Sequence, residues 1–151
     1  MSGYAQVNVG LKDPDKEGMR IMAIGDLNND KLNDLVTANK DGSKVTAWYF
    51  DESSYSYSTS ASFALPTGLK ADSVIVTKSQ DPKVRLQHLL VTASTSDPSA
   101  TQQTKLLMFE QMISAATQQY SWAEMEDSDI HGTVIYPNSQ PMILDANADQ
   151  A

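Results

Sequence analysis

Apolar residues in this chain fall in short runs rich in β-branched and aromatic side chains, and clusters of polar turn-formers separate them. Runs of that length and make-up read as strands. The pattern predicts strands at Met19–Ile24, Asp34–Ala38, Lys44–Phe50, Tyr55–Phe63, Ala71–Thr77, Gln87–Ala93, Lys105–Gln111, Gln118–Ala123, Thr133–Tyr136 and Pro141–Leu144. Turns are signalled by Asn39-Lys40-Asp41-Gly42, Pro66-Thr67-Gly68, Ser79-Gln80-Asp81-Pro82 and Ser96-Asp97-Pro98. Leu106–Ala116 has helical propensity, but its place in the pattern assigns it to a strand. The expected fold class is all-β.

The pattern also repeats. Leu35-Val36-Thr37-Ala38 returns as Leu90-Val91-Thr92-Ala93. A Lys-containing apolar strand follows each copy, and an aromatic-bearing strand closes each unit. A period of about 40–60 residues with four strands per unit marks a β-propeller blade. The expected units are 18–65, 70–124 and 132–151: two blades and the first strand of a third. Propellers close with about 4–8 blades. The expectation is therefore a partial propeller over 1–151, with the remaining blades supplied by a longer parent chain or a companion chain.

One loop carries candidate chemistry. In Asp26-Leu27-Asn28-Asn29-Asp30-Lys31-Leu32-Asn33-Asp34, side-chain oxygens stand at the first, third, fifth and ninth positions. Leu32, at the seventh, offers its backbone carbonyl. A tight turn brings alternate side chains to one point. Hard cations such as Ca²⁺ take roughly 6–8 oxygen ligands, and one short loop can supply most of them. Without a cation, three carboxylates there repel each other. An EF-hand loop begins in the same way but needs an acidic residue at the twelfth position. Here that residue is Thr37, inside an apolar run. Part of the motif returns as Asp145-Ala146-Asn147-Ala148-Asp149.

Ile24-Gly25-Asp26-Leu27-Asn28-Asn29-Asp30-Lys31-Leu32-Asn33-Asp34-Leu35-Val36 closely resembles the FG-GAP/VCBS repeat, which builds the integrin-α-like propeller. Among eukaryotic members, the blade length and the Gly-Asp-Leu-Asn-x-Asp form look most like the T-cell immunomodulatory protein family. The resemblance implies Ca²⁺ held by the side chains of Asp26, Asn28, Asp30 and Asp34 and the carbonyl of Leu32. A second, incomplete loop would use Asp145, Asn147 and Asp149. It also implies a non-catalytic module for protein–protein interaction or cell adhesion, in an extracellular or secretory-lumenal setting. Lys31 stands where the family has glycine, which predicts strain in the turn. The middle unit has Thr77-Lys78-Ser79-Gln80-Asp81-Pro82 in place of the ligands and should not bind metal.

Composition narrows the partners. The 151 residues carry a net charge of -8 and no Lys/Arg cluster, which argues against a nucleic-acid partner. There are no cysteines, so disulfides and thiolate metal sites are excluded. The first residues lack a signal-peptide pattern, no apolar run is long enough for a membrane span, and no glycosylation sequon is present. His88 and His131 are isolated, and His88, inside a strand pattern, reads as structural. Trp48-Tyr49-Phe50 and Trp122 read as aromatics packed between blades. The alternative is a glycan-binding propeller that stacks sugars on Trp48 or Trp122, or an accessory propeller of a larger enzyme. Tyr55 and Tyr57 mark a half-exposed outer strand, and the polar loop Ser94–Thr104 is long enough to meet a partner.

Overall fold

The computed structural model describes residues 10–12, 17–77, 86–101 and 103–125. Within them lie eight strands and no helix: β1 Met19–Gly25, β2 Asp34–Asn39, β3 Lys44–Asp51, β4 Ser56–Ala64, β5 Lys70–Thr77, β6 His88–Ser94, β7 Thr104–Ile113 and β8 Tyr120–Glu124. They form two antiparallel four-stranded sheets, β1-β2-β3-β4 and β5-β6-β7-β8, with every strand beside its neighbour in sequence. The first eight expected strands are present, shifted by no more than a residue or two at most ends. β7 spans most of the segment with helical propensity. The expected strands at Thr133–Tyr136 and Pro141–Leu144 lie outside the described residues.

The sheets stack with like strands opposed, β1 against β5 and β4 against β8. The stacked strands also run the same way. Arg20, early in β1, donates from Nη2 to the carbonyl of Ala71, early in β5 (3.3 Å). Gly25, at the end of β1, lies against Val76 near the end of β5, where an added Cβ would stand 3.4 Å from Val76 Cγ2. At the opposite end the sheets meet through backbone. Gly42 turns β2 into β3 at φ +79, and its carbonyl accepts Ala71 N–H at 2.8 Å. A Cβ on Gly42 would sit 3.3 Å from Ala71 N, so glycine supplies both the left-handed turn and the close approach.

One apolar layer fills the space between the sheets. Val36, Val45, Ala47, Ala61 and Phe63 come from the first sheet, and Val74, Leu89, Val91, Leu107 and Phe109 from the second. Phe63 packs on Phe109 with ring centroids 4.2 Å apart, and on Trp122 at 6.0 Å. Tyr49 stacks on Tyr120 at 4.1 Å. Aromatic pairs at such distances stabilise by about 0.5–1.5 kcal/mol beyond their buried area.

The repeated tetrapeptide sits on equivalent strands but on opposed faces. Val36 pairs with Ala47 and Val91 with Leu107, and both valines point into the shared layer. Strands stacked in the same sense would turn matching residues the same way. The sequence match is therefore one residue out of step with the structural repeat, and a one-residue slip exchanges the faces of a strand. Each first strand also carries a bulge, between Ile21 and Ala23 in β1 and between Ala71 and Ser73 in β5.

A polar side chain crosses the layer. Gln111, 6% exposed on β7, accepts from the Tyr49 hydroxyl and donates from Nε2 to the carbonyl of Leu27 at 2.9 Å. We predict that Gln111→Leu, which keeps the bulk but leaves the Tyr49 hydroxyl without its acceptor inside the interface, lowers unfolding free energy by about 1–3 kcal/mol. Urea denaturation of the two proteins measures this difference.

Candidate functional site

The Asp26–Asp34 loop joins β1 to β2. Two of its non-glycine residues have left-handed backbones, Asn29 at φ 61 and Lys31 at φ 70. Asn tolerates that region because its short side chain bonds locally, whereas Lys has no such compensation. The strain expected at Lys31 is thus present. The two reversals curl the chain so that its side-chain oxygens turn onto its own amides. Asp26 accepts Asp30 N–H on Oδ1 (3.1 Å) and Lys31 N–H on Oδ2 (2.8 Å). Asn28 Oδ1 accepts the same Asp30 N–H at 3.3 Å. Asp30 Oδ1 accepts Leu32 N–H at 2.8 Å. Oxygens of Asp26 and Asn28 therefore converge on one nitrogen.

Asp34 belongs to the interior. It is 0% exposed, and both of its oxygens serve backbone amides: Oδ2 accepts Leu27 N–H at 2.8 Å and Oδ1 accepts Phe50 N–H at 2.9 Å. Burial pushes its carboxyl up from 3.8 to about 6. The amides of Phe50 and Leu27 pull the other way, and the charges of Asp30 and Asp26 add to the rise. Burial disfavours the ionised form, whereas donors aimed at it favour it.

Leu27 explains why the loop cannot drift. Its side chain is 0% exposed and joins the layer between the sheets. Its N–H goes to Asp34, and its carbonyl receives Gln111 Nε2 and Gln87 N–H (3.2 Å). Asn28 Nδ2 reaches the hydroxyl of Tyr120 on β8 at 3.4 Å. The acidic loop is thus held by both sheets. Gln111, Tyr120 and Tyr49 were missing from the expected site, because their link to the loop is tertiary. The only sequence signal was a Gln on a strand position facing the core.

The donor set is all oxygen, which suits a hard cation rather than a soft one. Each carboxylate oxygen has a second lone pair beyond the one facing an amide. Asp26, Asn28, Asp30 and the Leu32 carbonyl surround one turn, and Asp34 stands behind it, engaged with the backbone. Among the described residues, no three His, Cys, Asp or Glu side chains are gathered as a formed metal cluster. By chemistry and spacing the residues fit calcium. Their carboxylates face loop amides in place of a common centre.

The second expected loop, Asp145, Asn147 and Asp149, lies outside the described residues, as does Asp81 in the middle unit. His131 lies there too. His88 is half-buried in β6 opposite Thr77 and Glu110, in keeping with a structural histidine. Trp48 and Trp122 are 7% and 9% exposed. Trp48 donates from Nε1 to Thr37 Oγ1 at 2.9 Å, and Trp122 packs on Phe63. Neither offers a ring face for a sugar, which counts against the alternative of a saccharide stacked on them.

Two outcomes follow from this geometry. Lys31→Gly relieves a left-handed cost of about 1–2 kcal/mol against roughly 0.4–1 kcal/mol of added unfolded-state entropy. Its unfolding free energy from urea denaturation should rise, by at most about 1.6 kcal/mol. Asp34 also predicts a pH effect in chelator. Its folded pKa lies above its unfolded one, so the folded state holds the proton more tightly. Stability then falls as pH rises from 3.8 to about 6. The fall should be visible as a slope difference between the native protein and Asp34→Asn, which lacks the titration. Parallel slopes would contradict the buried, raised carboxyl.

The chain matches no protein-family model, no curated protein and no solved structure.

Proposed function

We propose that the chain is a calcium-stabilised, non-catalytic module of propeller-type blades that serves protein–protein interaction or adhesion outside the cytosol. The observation that carries this reading is the placement of the Asp26–Asp34 loop. It lies between the first two strands of a four-stranded antiparallel meander and is anchored by Leu27 between two sheets. Stacking of like strands in the same sense is the relation between neighbouring blades, so the two sheets support a propeller reading. Further blades would come from a parent or companion chain. The extracellular setting rests on the resemblance to FG-GAP repeats alone, and millimolar calcium there suits a loop of modest affinity.

Calcium bound at this loop would neutralise the clustered carboxylates. Asp26, Asn28, Asp30 and the Leu32 carbonyl would hold it, with Asp34 the fifth group of the motif. The chain's own contribution is rigidity: Leu27 carries any tightening of the loop into the interface. A ligand that binds only the folded state raises stability with concentration. The buried tryptophans remove the support for a sugar-stacking reading at those residues.

The test is thermal melting in calcium and in EDTA, for the native protein and Asp30→Ala. Melting temperature should rise in calcium for the native protein, with little change in the far-ultraviolet spectrum, and stay put for Asp30→Ala. Identical melting in all four conditions would remove the cation from the reading.

A further inference from the structure

We infer that Tyr120 on β8 is a positioning residue for the Asp26–Asp34 loop: its hydroxyl holds the Asn28 amide with Oδ1 turned into the loop, so that the loop's grip on a cation depends on the second sheet. The inference rests on the calcium reading of that loop and adds what regulates it.

The Asn28 side chain is held at both ends. Oδ1 accepts Asp30 N–H at 3.3 Å, beside Asp26 Oδ1, which accepts the same amide at 3.1 Å. Nδ2 donates to the Tyr120 hydroxyl at 3.4 Å, across 92 residues of sequence. An amide nitrogen cannot accept a hydrogen bond, so the end that faces Asp30 N–H must be the oxygen. The two bonds stretch the amide between the turn and β8 and fix where that oxygen stands. Asn suits both tasks, because it offers an acceptor to the loop and a donor to β8. An ionised Asp would have no donor to give.

Tyr120 is itself fixed. It opens β8 opposite Ile113, and its ring stacks on Tyr49 of β3 at 4.1 Å with an interplanar angle of 21°. Tyr49 is buried and reaches Gln111 through its hydroxyl. Gln111 in turn donates to the carbonyl of Leu27, the residue before Asn28, and Gln87 N–H donates to the same oxygen. Leu27 and Asn28 are thus both held from the second sheet. The rest of the turn is held from within: the amides of Asp30, Lys31 and Leu32 go to Asp26, Asn28 and Asp30.

Groups that orient a ligand from behind change metal affinity when they are removed, typically by about 10–100-fold. A single neutral bond to a loop side chain stands at or below the low end of that range. The phenol suits the place because it is neutral, whereas a Lys or Arg there would set a positive charge beside the cation. It takes an amide proton and leaves Asn28 Oδ1 a lone pair beyond the one that faces Asp30.

The probe is calcium alone, titrated into the isotope-labelled chain after chelator is removed, with affinity read from the amide shifts of the Asp26–Asp34 loop. Tyr120→Phe keeps the ring and its stack on Tyr49 and removes only the hydroxyl. It should bind calcium about three- to tenfold more weakly. Asn28→Ser keeps a ligand oxygen but lacks the second arm that reaches β8. In that background Tyr120→Phe should weaken binding no further, whereas a loosened sheet interface would weaken it equally in both. Equal affinities of the native protein and Tyr120→Phe, or the same fold-loss with and without Asn28→Ser, would overturn the inference. A native loop with no calcium-dependent shift overturns the cation reading and the inference with it. A calcium response indifferent to Tyr120 overturns the positioning alone.

Discussion

Leu27 is the fully buried apolar residue of a mostly polar loop, and its position depends on Asp34. An apolar side chain can enter the layer between the sheets only if its peptide groups are satisfied there. Asp34 takes the Leu27 N–H, while Gln111 and Gln87 supply donors to its carbonyl. The other Asp34 oxygen takes the N–H of Phe50, at the end of β3. One carboxylate thus ties the first loop to the third strand, and the residue it secures ties the first sheet to the second. Removing such an acceptor leaves buried donors unmet at about 1–3 kcal/mol each.

The same constraint shapes the chemistry of the loop. A carboxylate in the interior raises its own pKa and feels the charges of Asp26 and Asp30 outside. The loop answers with amides, turning the N–H groups of Asp30, Lys31 and Leu32 onto the acidic side chains at the expense of a left-handed Lys31. This arrangement stabilises the acids through the loop's own donors.

Strand order was legible because alternation and turn chemistry agree along the chain. The β2–β3 turn at Asn39–Gly42, the β1–β2 loop and the interior runs all announce themselves locally. Even β7 was placed through its position in the repeat, against helical propensity at Leu106–Ala116. The repeated Leu-Val-Thr-Ala found the right strands and the wrong faces. A face is set by register and bulges, and those emerge only when strands pair. Within the loop, spacing identified Asp26, Asn28, Asp30 and Asp34 as a group but gave them equal roles. The structure separates them: three line the turn, and Asp34 is a buried clamp for amides. That distinction needs Phe50, Gln111 and Tyr49, which are remote in sequence and close only after folding. The tryptophans show the same limit. Their type suggested either packing or sugar contact, and only the fold decides: Trp122 enters the layer between the sheets, and Trp48 is buried on the other face of its sheet beside Thr37.

Hydrogen exchange at the Leu27 and Phe50 amides tests the central link most directly. If Asp34 clamps both, they exchange only through global unfolding, with the same free energy as the β2 and β3 ladder amides, even in chelator. Rapid exchange at Leu27 while β2 and β3 remain protected would contradict it. The loop would then open independently of the sheets, and Leu27 would not be the tie between them.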